Sequence, residues 1–187
     1  EIIKKYTTFN KNSSVLDVGS GTGHHVNLFS KTSKSATGID ISPAMVKKSK
    51  TNYPNNEYHV KDAMNSMAIQ HQTLTHITCL YFTVYYFEDK RTFFKNCYEW
   101  LLPGGHLILH LVDRDNFDPI IPAGNPFKIV SPQKYSKERI TSTVVKFYDY
   151  EYKSNYEMDS AESTAIMNEE FKNLKNGDVR KNEHKIF

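Results

Sequence analysis

The chain has 187 residues, with 24 lysines and arginines against 21 acids, a net charge of +3 and two cysteines. That length suits one well-buried core, no run of about 18 apolar residues marks a transmembrane helix, and no signal-peptide pattern opens the sequence. Lysines interleave with acids, so the positive excess reads as a solvated surface rather than a nucleic-acid stripe. Cys79 and Cys97 fall in strand-like and helix-like segments and read as reduced core residues of a cytoplasmic protein.

In chain order, residues 1–9 have the pattern of an amphipathic helix with Ile2, Ile3, Tyr6 and Phe9 on one side. A first strand, Val15-Leu16-Asp17-Val18, runs into Gly19-Ser20-Gly21-Thr22-Gly23. Glycines at that density let the backbone bend sharply and let a ligand approach without Cβ atoms in the way. A helix is predicted from Thr22 to Lys31, with Val26, Leu28 and Phe29 as its apolar contacts and its N–H groups facing the loop. A second strand, Ser35 to Asp40, ends in an acid 23 residues after Asp17, near the spacing of about 20 at which an acid meets a ribose hydroxyl in doubly wound folds. Ser42-Pro43 opens the next helix as N-cap and first-turn proline. A third strand, Glu57 to Val60, ends at Lys61-Asp62-Ala63-Met64.

A fourth strand is predicted from Leu74 to Leu80, then an aromatic stretch to Phe87, then a helix from Glu88 to Leu101 carrying Phe93, Phe94, Cys97, Trp100 and Leu101. Leu102-Pro103-Gly104-Gly105 reads as a turn before a fifth strand, His106 to Val112. Strand–helix alternation of this kind predicts a doubly wound, mostly parallel α/β sheet with helices on both faces. Asp113 to Pro126 is a proline-rich loop, equally readable as a lid or a bland surface excursion. Ile140–Tyr156 reads as one long strand, and Ala161–Leu174 and Asp178–Phe187 as two more joined by Asn176-Gly177, together an antiparallel meander over 140–187.

The glycine loop discriminates among cofactors. A dinucleotide fingerprint places its third small residue where this chain has His24, and a P-loop needs Gly-Lys-Ser/Thr at its end. The pattern hydrophobic-Asp-x-Gly-x-Gly-x-Gly resembles motif I of the class I, Rossmann-like, S-adenosylmethionine-dependent methyltransferases, and Trp100-Leu101-Leu102-Pro103-Gly104-Gly105 is a second family-like signature. The match covers Val15 to Val112. The resemblance implies S-adenosyl-L-methionine as cofactor and S-adenosyl-L-homocysteine as product. It implies that Asp17, Gly19, Ser20, Gly21, Gly23 and His24 hold the methionine end. Asp40 and Ile41 would lie at the ribose, Asp62, Ala63 and Met64 at the adenine, and Leu80 and Tyr81 beside the cofactor. Tyr81, Phe82, Tyr85 and Tyr86 would face the methyl acceptor, although most aromatics of this stretch are expected to pack in the core.

The fourth-strand exit, Leu80-Tyr81-Phe82-Thr83, matches neither the Asn/Asp-Pro-Pro-Tyr/Phe loop of exocyclic base methylation nor the Pro-Cys nucleophile of cytosine methylation. No His/Cys/Asp cluster has metal-ligand spacing, so no metal is expected. A general base is needed only where the acceptor must lose a proton. His110, Asp113 and His184 are the weak candidates, and a histidine placed like His110 is more often a hydrogen-bonded residue on a buried strand.

The expected organisation is a single methyltransferase domain over 1–187, with a cofactor-binding core at 1–112, a lid-like loop at 113–139 and the meander at 140–187. Two readings of the meander stay open. It is either an inserted substrate cover, with the closing helix and strands outside a truncated sequence, or it closes the sheet itself. An unfinished sheet edge would be a dimerisation liability, which makes a homodimer one expected state. The leading expectation is a methyltransferase acting on a small molecule, with no nucleic-acid or membrane partner. The alternatives are a methyltransferase acting on protein or RNA, and a non-catalytic binding module of the same fold.

Overall fold

The computed structural model describes residues 1–113, 136–159, 161 and 164–187. They form two compact units, Glu1–Leu111 and Val112–Phe187.

The first unit holds a five-stranded parallel sheet. Its strands are β1 (Ser14–Val18), β2 (Ser35–Asp40), β3 (Glu57–Val60), β4 (Leu74–Cys79) and β5 (Leu101–Leu109), in the order β3-β2-β1-β4-β5. Helices α1 (Ile2–Tyr6), α2 (His24–Ser30), α3 (Pro43–Asn52) and α4 (Lys90–Trp100) belong to the same unit. A parallel sheet is covered on both faces, and its two central strands, β1 and β4, are buried almost throughout. Side chains alternate accordingly. Leu16, Val18, Ile39, Ile77 and Cys79 join Phe93, Cys97 and Trp100 of α4 in one cluster. Val15, Ala36 and Tyr58 meet Val26 and Val46 in the other.

Trp100 anchors the first cluster. It is fully buried, and its indole N–H donates to the Ser66 carbonyl at 2.8 Å. Trp100→Phe removes that bond and leaves a small void, so we expect a loss of roughly 2 kcal/mol. A lower urea midpoint at unchanged m-value is the readout.

Several boundaries differ from the sequence expectations. Helix α1 stops at Tyr6, because Thr7 turns to extended backbone and its hydroxyl donates to the Ile3 carbonyl at 2.6 Å. Phe9, beyond the helix, is buried, whereas Ile2 and Tyr6 are exposed. Helix α2 is shorter than expected, and Leu28 faces solvent, leaving Val26 and Phe29 as its apolar contacts. Phe94 is also exposed on α4, one position away from the buried Phe93 face. The Leu102–Gly105 turn lies inside β5: pairing jumps from Leu74 opposite Leu101 to His76 opposite His106, and the extra residues bulge outward with Gly104 at φ +78°. Strand β5 ends at Leu109, so His110 is exposed past its end rather than buried on it.

The second unit is a four-stranded antiparallel sheet, β6 (Ser142–Lys146), β7 (Tyr150–Asp159), β8 (Thr164–Asn173) and β9 (Val179–Ile186), in sequential order. The expected single strand over Ile140–Tyr156 is two, because Phe147-Tyr148-Asp149 turns the chain. Phe147 N–H donates to the Tyr150 carbonyl at 2.8 Å, and the two rings stack with centroids 4.5 Å apart. The Asn176-Gly177 turn is present, with Gly177 at φ +79° and its N–H donating to the Asn173 carbonyl at 3.0 Å. None of these four strands pairs with β5 among the described residues, so the meander does not close the parallel sheet. Most of the loop expected to act as a lid lies outside the described residues.

Candidate active site

The strand order reverses between β1 and β4, which opens a crevice beyond their carboxyl ends. The glycine loop follows β1 there. Gly19, Gly21 and Gly23 all have positive φ, at +67°, +51° and +87°, conformations that residues with a Cβ adopt with strain. The three glycines have different jobs. A Cβ on Gly19 would lie 2.5 Å from Thr83 Cγ2, and one on Gly23 would lie 2.6 Å from Tyr58 Oη, so these two are demanded by the protein's own packing. A Cβ on Gly21 would meet nothing within 4 Å.

The loop is tied to the end of β2. Gly21 N–H donates to Asp40 Oδ2 at 2.9 Å, and Asp40 Oδ1 accepts from Ser42 N–H at 2.9 Å. Ser20 N–H donates to the Ile39 carbonyl at 3.0 Å. The Ser20 hydroxyl turns inward against Gly38, buried and without a hydrogen-bond partner among the described residues. Tyr58, on β3, donates to the Gly23 carbonyl at 3.1 Å and closes the loop from below. His24 Nδ1 lies 3.4 Å from Tyr53 Oη.

Asp17 is buried on β1, where Thr78 donates to its Oδ1 at 2.6 Å. Burial pushes its carboxyl up to about 7; the Thr78 bond opposes this, and the nearby charge of Asp40 adds to it.

At the exits of β4 and β5 four rings form a wall. The His25 and Tyr81 centroids are 5.4 Å apart, Tyr81 and His110 6.1 Å, and Phe82 and His110 4.3 Å. His25 is held below its ordinary range, first by burial and then by the neighbouring imidazoles of His24 and His110. Cys79, at the end of β4, is fully buried, and burial pushes its thiol up to about 12, so it is no nucleophile.

A family of methyltransferase domains matches residues 16–109, about half of the chain. The chain belongs to the methyltransferase domain family. This methyltransferase domain resembles solved structures over nearly its whole length. A S-adenosylmethionine-dependent methyltransferase from Clostridium acetobutylicum superposes with a TM-score of 0.72 at 17% identity, over 99% of this chain and 71% of that one. CalS10, a S-adenosylmethionine-bound amino pentose methyltransferase from Micromonospora echinaspora, gives 0.64 at 18%, over 94% and 68%. KedS8, a sugar N-methyltransferase from Streptoalloteichus, gives 0.62 at 17%, over 94% and 66%. At these identities the likeness is one of fold. No curated protein matches the sequence.

The methyltransferase domain uses S-adenosylmethionine, and its rim fits that group. The one loop glycine that packing does not require, Gly21, leaves its Cα open, and each Asp40 oxygen has accepted a single backbone N–H, leaving acceptor capacity for a hydroxyl. Asp62 sits at the end of β3, exposed, its Oδ1 accepting from Met64 N–H at 2.9 Å, and Lys61 N–H ties that exit to the Asp40 carbonyl at 3.1 Å. Ala63 is buried in the core and Met64 packs partly against it. Ile41 and Tyr81 are exposed, Leu80 and Phe82 half-buried. Tyr85 packs partly into the core, while Tyr86 is exposed. Asp113 and His184 belong to the second unit, where His184 Nε2 lies 2.9 Å from Glu169 Oε2.

Tyr58, Thr78 and Thr83, which buttress Gly23, Asp17 and Gly19, were invisible in the sequence. A tyrosine or threonine in or beside a strand reads only as β-propensity, and its partner is set by inter-strand register. His25, beside His24 at the start of the helix after the glycine loop, was readable as a residue that touches the cofactor carboxylate or the acceptor.

Among the described residues, no helix is long and apolar enough to cross a membrane, and no three His, Cys, Asp or Glu side chains gather as metal ligands.

Proposed function

We propose that this domain methylates a small-molecule acceptor at the ring wall between the β4 and β5 exits. The four-ring wall carries the reading: His25, Tyr81, Phe82 and His110 present flat, largely apolar surface of the kind that lines small-ligand sites. CalS10 is an amino pentose methyltransferase and KedS8 a sugar N-methyltransferase, which favours an acceptor of that size.

In this proposal Asp17, Gly19, Ser20, Gly21, Gly23 and His24 hold the methionine end of the cofactor. Asp40 and Ile41 hold the ribose, Asp62, Ala63 and Met64 the adenine, and Leu80 and Tyr81 the intervening edge. Ser20 contributes through loop shape, since its hydroxyl points inward. Tyr81, Phe82, Tyr85 and Tyr86 face the acceptor, and His110 receives a proton where the acceptor must lose one. The cofactor supplies an activated methyl on a good leaving group. The protein's task is to place the acceptor in line and to exclude water.

Calorimetric titration with S-adenosylmethionine, with NAD as control, tests the cofactor half. Saturable binding of the first alone is expected. Asp40→Ala should weaken it about tenfold or more, through loss of the ribose bond and of the Gly21 tether. Unchanged affinity would move that role to another acid. Transfer of labelled methyl to amino sugars and other small polar acceptors, with protein and RNA as controls, tests the acceptor half. Labelling of macromolecules alone would reverse the reading.

A further inference from the structure

Tyr81 and Phe82 both have left-handed backbones, at φ +50° and +65°. Two bulky residues in succession rarely adopt this region, and such strain persists only where surrounding structure imposes it. The imposing contacts converge on Thr83. Its N–H and its hydroxyl both donate to the Leu80 carbonyl, at 3.2 and 2.8 Å, closing the turn around the strained pair. Its methyl rests on the bare Cα of Gly19, at the place where a Cβ would come within 2.5 Å. Downstream, Val84 is buried in the core and fixes the far end of the turn. The strained pair then lays Phe82 against His110 and Tyr81 between His25 and His110.

We propose that Thr83 is a positioning residue that couples the glycine loop to the acceptor wall. The inference rests on the reading of Gly19–Gly23 as the cofactor cradle. A cofactor that fixes the loop fixes Gly19, and Gly19 is the surface on which Thr83 seats. Cofactor binding therefore stabilises the left-handed Tyr81–Phe82 turn and completes the wall. Linkage makes the effect reciprocal: the formed turn raises cofactor affinity, and a bound cofactor favours the formed turn.

Affinity is measured on the unsubstituted chain and its Thr83 variants, and Tyr81→Trp is added to each only to report the turn; the native Trp100 is fully buried in the core and gives a constant background. S-adenosylhomocysteine is titrated by calorimetry and by tryptophan emission. With Thr83 present, the reporter's emission should change saturably, with the calorimetric midpoint. In a Thr83→Ala background, affinity should fall about tenfold, within the range usual for coupled sites, and the emission response should vanish. Thr83→Ser, which restores the Leu80 bond but not the methyl on Gly19, should recover only part of the response. If circular dichroism shows the alanine variant unfolded, Thr83→Val carries the same test, since it keeps shape and methyl but cannot bond Leu80. Equal affinity and an equal emission response with and without Thr83 would overturn the coupling. Absence of any binding heat in the unsubstituted chain would instead overturn the cofactor reading, and the coupling with it.

Discussion

Replacing Gly21 by valine is expected to abolish S-adenosylmethionine binding while leaving the chain folded. The two halves of that outcome have separate causes. At φ +51° a side chain is strained by about 1–2 kcal/mol, which for a domain of this size lowers Tm by roughly 2–8 °C. The new Cβ itself meets nothing within 4 Å. The valine therefore enters the open space through which a ligand approaches the loop. We expect affinity to drop by more than about 100-fold, equivalent to about 3 kcal/mol. Gly23→Val is the informative contrast. Its Cβ would land 2.6–2.8 Å from the Tyr58 ring, which is fully enclosed in the core, so it should lose the fold and the binding together. A folded Gly21→Val protein with parental affinity would remove the loop from the cofactor site.

The contrast between these glycines also marks where the sequence stops being readable. The spacing of Gly19, Gly21 and Gly23 after an apolar strand announces a ligand turn, yet nothing in it separates the glycine that admits a ligand from those that admit Thr83 and Tyr58. Local signals worked where they were sharp. Strands β2 and β3 lie where expected because acids, prolines and turn residues bound short apolar runs, and Ser42 caps α3 with Pro43 at its first turn. They failed where residue type and role diverge. Phe147-Tyr148-Asp149 has two aromatics of high β-propensity, so the turn between β6 and β7 was hidden; Asp149 was its one polar cue. Pro103-Gly104-Gly105 reads as a loop, but the parallel register of β4 and β5 absorbs it as a bulge. The ring wall was legible only as a run of aromatics. That Tyr81 reaches solvent while Val84 is buried depends on two left-handed residues that no propensity foretells.

Asp17 should give the domain a pH dependence that Asp17→Asn removes. Its carboxyl titrates near 7 in the folded chain against 3.8 ordinarily. The folded state therefore holds a proton that the unfolded state releases across that window. Stability is greatest below the lower value, falls as pH rises between the two, and levels off above about 7. The full penalty is about 4 kcal/mol, at 1.36 kcal/mol per unit. The amide keeps an oxygen for the Thr78 hydroxyl but carries no charge to desolvate. The Tm of Asp17→Asn relative to the parent should thus climb from pH 5 to pH 8, by roughly 5–10 °C. Cofactor binding should run the other way. S-adenosylmethionine is cationic at its sulfonium, so in the proposed site it favours ionised Asp17, and parental affinity should improve between pH 6 and 8 by up to about tenfold. Asp17→Asn should bind more weakly at pH 8 and with a flatter profile. Calorimetry in buffers of different ionisation enthalpy counts the proton directly: below pH 7 the parent should release close to one more than the variant does. Equal proton release by the two would mean that Asp17 is already ionised in the free protein, or that it faces no cofactor charge. The Tm series separates these, since an ionised Asp17 would also erase the pH-dependent stability difference.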